Sequence, residues 1–158
     1  MNDSREAAKP RSSAWDAEQL SEIVVDCGYR LHVELGPGLL ESVYEVVLAR
    51  MLQDRGLRVR RQVPVPIRVM GLEFDEGFRL DLMIEQELIV ELKSIEKLEA
   101  AHYKQLLTYL RLLNLPVGLL INYGAATFKE GIRRVVNRHE DLGTSRLRVN
   151  QSASSMKS

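Results

Sequence analysis

Apolar positions along this chain change their spacing from helical to alternating and back again. From about Ala17 to Leu35, the residues Leu20, Ile23, Val24, Cys27, Leu31 and Leu35 recur at helical spacing. Gly36-Pro37-Gly38 stops that helix, because Gly is favoured just past a helix end and Pro cannot continue one. A second amphipathic helix is predicted from about Leu39 to Arg55, with Leu40, Val43, Tyr44, Val47, Leu48 and Met51 apolar, ending at Gly56. Val59 to Met70 reads as extended, and Pro64 and Pro66 argue for an edge or bulged strand. Gly71 marks a turn into a further strand. There Phe78, Leu80, Leu82 and Ile84 alternate with Arg79, Asp81 and Met83. After Glu85-Gln86-Glu87, Leu88, Val90 and Leu92 alternate with Ile89, Glu91 and Lys93, so the two runs predict a β-hairpin. Leu98 to Leu113 is a third helix, Val117 to Asn122 a short buried strand, and Phe128 to Val136 a last strand or helix. This order predicts an α/β fold, a mixed β-sheet flanked by helices.

The hairpin carries acids in an odd place. With Glu85-Gln86-Glu87 as the loop, Ile84 faces Leu88, Leu82 faces Val90 and Leu80 faces Leu92. On the other side Asp81 stands opposite Glu91, and Arg79 opposite Lys93. A one-residue slip would turn the apolar set to the wrong face, so this register, or one shifted by two, is expected. Opposed Cβ atoms lie roughly 5 Å apart, and like charges there are destabilising. A divalent cation between the carboxylates is the simple remedy, and Lys93 projects from the same face. The plain alternative is a solvated acidic face, with Lys93 paired to Glu91 or diagonally to Asp81 for ~0–1 kcal/mol.

Other polar residues sit near predicted apolar stripes. Gln105 and Tyr109 lie one turn apart on the third helix and share a stripe with Leu98, Ala101 and Leu112, which should face the sheet. A buried, unpaired amide costs ~1–3 kcal/mol, so Gln105 either bonds backbone in the core or points at the acids or at a substrate phosphate. Glu41 opens the second helix, where the helix dipole favours an acid, and it shares a face with Tyr44, Leu48 and Leu52. Arg55, Arg58, Arg60 and Arg61 form a basic stretch that is either a phosphate contact or a solvated edge. His32, His102 and His139 show no zinc-ligand spacing, although His102 lies one turn before Gln105.

Composition narrows the class without choosing a function. At 158 residues the length predicts one domain, and 45% hydrophobic with 28% charged residues is ordinary for a globular chain. The formal net charge is zero, so no whole-molecule field draws nucleic acid and any such contact must be local. The single cysteine, Cys27, excludes an intrachain disulfide and fits a reducing cytoplasm. No apolar run reaches the ~20 residues a membrane span needs, and the N-terminus shows no apolar signal core. Residues 1–15 and 141–158 are expected to be disordered tails around a domain at 16–140.

Gly38-Leu-Leu-Glu41-Ser-Val-Tyr44 resembles the Gly-x-x-Glu-x-x-Tyr signature of the GxxExxY proteins, a bacterial group in the PD-(D/E)XK nuclease-like superfamily. The resemblance runs from about Ile23 to Val136. It takes in Arg-Leu-Asp81-Leu, Ile-Val-Glu91-Leu-Lys93, Gln105-Leu-Leu-Thr-Tyr109 and Leu-Leu-Ile-Asn-Tyr-Gly124. The chain departs from the superfamily's name motif in having Leu80, not proline, before Asp81, a position that supplies no ligand. The resemblance implies a restriction-endonuclease-like core and a metal-dependent nuclease acting on DNA or RNA, with metal-activated water as nucleophile. It implies Asp81 and Glu91 as ligands for Mg²⁺ or Mn²⁺, with Glu41 a third acid touching the metal or its water. Lys93 would orient or deprotonate the attacking water and offset charge on the phosphate, and Gln105, with Tyr44 and Tyr109 in support, would position substrate or metal water. Arg58, Arg60 and Arg61 are candidate nucleic-acid contacts. The rival expectation is a catalytically silent module of the same fold that binds nucleic acid or a protein. A homodimer or a partner protein stays open as the source of specificity, and no membrane partner is expected.

Overall fold

The computed structural model describes residues 14–138. Both proposed tails lie outside the described residues except for Ala14 and Trp15, and so does His139. Helix α1 (Ala17–Leu35) starts in a capping box: Asp16 accepts from the Gln19 backbone N–H, and the Gln19 side chain accepts from the Asp16 N–H. Helix α2 (Glu41–Asp54) follows the Gly-Pro-Gly turn. Next come β1 (Val59–Val69), β2 (Leu72–Ile84) and β3 (Leu88–Lys93), then α3 (Ala100–Leu113), β4 (Val117–Asn122), α4 (Phe128–Gly131) and β5 (Ile132–Val136). The last predicted segment, left as strand or helix, is thus one turn of helix followed by a strand.

These strands form a five-stranded sheet in the order β1-β2-β3-β4-β5. Only β3 and β4 run parallel, joined through α3 as a crossover; every other neighbour pair is antiparallel. The fold is therefore α/β with a mixed sheet flanked by helices, as the hydrophobic pattern predicts, and consistent with a restriction-endonuclease-like core. Helices α1 and α2 cover one face, burying Leu20, Val24, Leu31, Tyr44, Leu48 and Leu52 against Leu82, Val90, Leu92 and Leu119. Helix α3 covers the other with Leu106 and Leu110 against Met83, Ile89 and Leu120. The central strands are buried on both faces, which is why β4 reads as an unbroken apolar run. Among the described residues no helix is long and apolar enough to cross a membrane.

Three sequence expectations need correction. On α2, Leu40 and Val43 are exposed, and the buried face is Tyr44, Glu45, Leu48, Ala49 and Leu52. On α3, the stripe facing the sheet is Leu106 and Leu110, with Tyr103, Tyr109 and Leu113 beside it. Gln105, Ala101 and Leu112 point away, so Gln105 is exposed and not a core amide. The helix carries enough scattered apolar residues for two overlapping stripes, and packing against β4 selects one. Finally, the β2–β3 ladder holds the predicted register at Ile84↔Leu88 and Leu82↔Val90 but goes no further. Leu80 does not face Leu92: Leu80 lies under α3, whereas Leu92 lies under α1 and α2. Arg79 pairs with Pro64 across β1 and with the Glu76 carboxylate, not opposite Lys93.

Candidate active site

The point where the hairpin ladder stops is the point where the acids meet. Beyond Leu82↔Val90, carboxylate oxygens replace backbone carbonyls as acceptors. The Asp81 N–H donates to Glu91 Oε1 at 3.2 Å, and the Leu92 N–H donates to Asp81 Oδ2 at 2.8 Å. Strand β1 lets go at the same level: Arg61 pairs with Leu82 and Val63 with Leu80, but Gln62 and Asp81 are not paired in the register. Asp81 is thus released by both neighbouring strands and gripped by side chains. The meeting of the two acids and the face switch of Leu80 belong to one local break in the sheet.

Glu91 is 6% exposed. Burial, then the charge of Asp81, push its carboxyl up to about 9, with Lys93 and the Asp81 N–H acting in the opposite sense. At neutral pH it therefore keeps a proton, which removes the like-charge repulsion. Glu41 is half-buried at the start of α2. Its carboxyl is raised by burial and by the charge of Asp81, and eased by Lys93 and by the Ser94 backbone N–H. Tyr109 stacks on Phe78 with ring centres 4.2 Å apart and planes 7° from parallel. Burial and the charges of Glu91 and Asp81 raise its hydroxyl, so it lies in the field of both acids. Asp81, Glu91, Lys93, Glu41 and Tyr109 thus come together; Gln105 sits one turn before Tyr109 on the exposed side of α3.

Local chemistry explains why Glu41 arrives here. Tyr44 is fully buried, stacked on Tyr123 at 4.4 Å. Its hydroxyl donates to the Gly36 carbonyl at 2.6 Å and accepts from the Leu39 N–H at 3.2 Å, closing the turn that launches α2. The Ser94 hydroxyl donates to the Leu39 carbonyl at 2.7 Å, fastening that turn to the end of β3. Buried Asn122 accepts from the Ile95 and Gly124 N–H groups, both at 3.0 Å, and holds the chain after Lys93. A Cβ on Gly124 would lie 2.1 Å from the Ile95 carbonyl oxygen, so only glycine fits that approach. Ser94 and Asn122 carry no signal in periodicity, although an asparagine ending an apolar run is a hint of buried polar work.

The basic stretch is largely committed to acids. Arg55 pairs with Asp26, Arg58 with buried Glu85 at 2.8 Å, and Arg61 with buried Glu45 at 3.1 Å. Arg60 makes no ion pair among the described residues. His102 Nδ1 accepts from the Glu99 N–H at 2.9 Å and caps α3, and buried His32 bonds the Ala125 carbonyl at 2.9 Å. Neither histidine reaches toward the acids. Cys27 is a free thiol buried among core residues.

The donor chemistry fits a hard divalent cation. Its candidates are carboxylate oxygens alone, and one of them is buried against another carboxylate, offset by Lys93 and the Asp81 N–H. Among the described residues no three His, Cys, Asp or Glu side chains are gathered closely enough to hold an ion. The fit therefore rests on the Asp81–Glu91 pair.

A family model described as PD-(D/E)XK nuclease superfamily matches residues 18–135. No curated protein and no solved structure gives a match.

Proposed function

The chain belongs to the PD-(D/E)XK nuclease superfamily, and from that premise we propose that it hydrolyses phosphodiester bonds in DNA or RNA with Mg²⁺ or Mn²⁺. We further infer that it is a GxxExxY protein, on the strength of Gly38, Glu41 and Tyr44. Nucleases of the superfamily generally use divalent metals. The observation that carries the reading is the buried Glu91 carboxyl set against Asp81 with Lys93 beside them. A bound divalent ion supplies a Lewis acid for the phosphoryl oxygen and a lower pKa for water.

The chain's own residues do the rest. Asp81 and Glu91 are the ligands, and Glu41 approaches from α2 as the third acid. Glu91 must give up its proton to serve, and Lys93 favours that loss. Lys93 also offsets phosphate charge and orients the attacking water. Gln105 contacts substrate from the exposed side of α3, and Tyr109 and Tyr44 support the site. Of the basic residues Arg60 is the phosphate contact, since Arg58 and Arg61 hold buried acids. The reading includes a cytoplasmic place, to which a buried free thiol is suited.

Cleavage assays on single- and double-stranded DNA and RNA, with Mg²⁺ or Mn²⁺, test it. Activity is expected to need the metal and to vanish in Lys93→Ala; activity that survives Lys93→Ala overturns the mechanism. One observation favours a second reading, a silent nuclease-fold module that binds nucleic acid or a protein: among the described residues the acids do not form a group of three. That reading predicts nucleic-acid binding without cleavage at any metal concentration.

A further inference from the structure

Behind the acid pair runs a polar chain that no sequence pattern announces: Glu45, Gln62 and Asp81. Glu45, on α2, is 4% exposed. Its two oxygens accept from Arg61 Nε at 3.1 Å and from Gln62 Nε2 at 2.7 Å. Adjacent residues of a strand ordinarily point to opposite faces. Both reach Glu45 here because Gln62 has φ 49°, in the left-handed region, at a position the β1–β2 pairing skips. That conformation is uncommon outside glycine, and such outliers gather at functional sites. A carboxylate only accepts, so Glu45 dictates that the Gln62 amide presents its nitrogen. The same nitrogen contacts Asp81 Oδ1 at 3.4 Å, while Asp81 Oδ2 takes the Leu92 N–H. Both oxygens of Asp81 are thereby addressed, one from β3 and one from the left-handed Gln62 of β1.

The geometry points to Gln62 as a positioning residue: oriented by Glu45, it holds the Asp81 carboxylate in the direction the divalent cation requires. The inference rests on the nuclease reading above. A neutral amide suits the task, because it orients a carboxylate without competing with a cation for its charge. Loss of such an outer partner typically weakens metal binding by about tenfold to a hundredfold.

Calorimetric titration of Mn²⁺ into the full chain tests the claim. Gln62→Met is expected to bind about tenfold more weakly than wild type, at a metal-free melting temperature lowered by the lost bond to buried Glu45. Glu45→Gln weakens binding less, and adding it to Gln62→Met weakens binding no further, since both act through one amide. Mn²⁺ binding untouched by Gln62→Met, or additive losses in the double variant, overturns the claim. In the metal-free protein the side-chain amide resonance of Gln62 should move in both Asp81→Asn and Glu45→Gln. Wild-type protein that binds no Mn²⁺ defeats the nuclease reading, and the amide resonance then decides alone: one indifferent to Asp81→Asn overturns the positioning contact.

Discussion

The two ends of the β2–β3 hairpin obey different rules. At the turn end, Leu82↔Val90, Met83↔Ile89 and Ile84↔Leu88 are paired by backbone bonds, and every one of those side chains is buried. At the open end, pairing gives way to carboxylates that take backbone N–H groups, with Glu91 held protonated by its surroundings. The first end is built for stability. The second holds two acids together at a cost that a better-packed sequence would avoid, which is the pattern expected where function overrides local consistency. The lesson is that one uninterrupted alternation in sequence covers both a frame and a site.

Breaking the open end should hit activity hardest. Asp81→Ala is expected to cut metal-dependent cleavage by on the order of 10²–10³-fold, the scale of losing one charge-stabilising group in an active site. Its melting temperature should move little, because the freed Leu92 N–H is offset by relief of Glu91. A variant that cleaves at wild-type rate, measured on the best substrate, would remove Asp81 from the site.

The turn end should respond the other way. Leu82→Ala empties a fully buried position and should cost about 3 kcal/mol in urea unfolding. Cleavage per folded molecule should persist at low temperature. A loss under 1 kcal/mol would mean that this end is not the frame.

A pH series sharpens the contrast without touching the frame. Glu91 is raised from an ordinary 4.5 to about 9, so the folded protein keeps a proton that the unfolded chain loses within that window. The Glu91 contribution to metal-free stability is therefore fully present below about pH 4.5 and is lost as pH climbs toward 9, by up to ~1.4 kcal/mol per unit. Glu41, also raised, adds in the same direction. Glu91→Gln should flatten the decline in thermal unfolding followed in chelator. Equal slopes in the two proteins would contradict the protonated acid.

The smallest effect belongs to the turn that delivers Glu41. Tyr44→Phe removes the hydroxyl that bonds Gly36 and Leu39 and should cost about 1 kcal/mol, read by thermal unfolding. An unchanged stability would mean that the turn closes without it.

How far the sequence carries depends on the same contrast. Period and punctuation place the first three helices and first four strands, because burial dictates them, but do not divide Phe128 to Val136 into α4 and β5: the hairpin register at Leu82 and Ile84 follows from keeping apolar residues on one face. The acid pair is legible too, since Asp81 and Glu91 fall opposite each other in that register. What alternation misses is the switch of Leu80 to the α3 face, at the level where left-handed Gln62 and Asp81 drop out of the β1–β2 pairing. Glu45 escapes for a related reason, because it lies beside Tyr44 on a helix whose buried arc is wider than its apolar residues suggest. Gln105 is misplaced because two stripes on α3 compete and only β4 decides between them.

The central claim is that the open end is a divalent cation site in which Glu91 gives up its proton to become a ligand. Titrating Mn²⁺ at about pH 7.5 in buffers of different ionisation enthalpy counts the protons released on binding. The account predicts about one proton from wild-type protein and none from Glu91→Gln; Mn²⁺ binding with no proton release, or no binding at all, would contradict it.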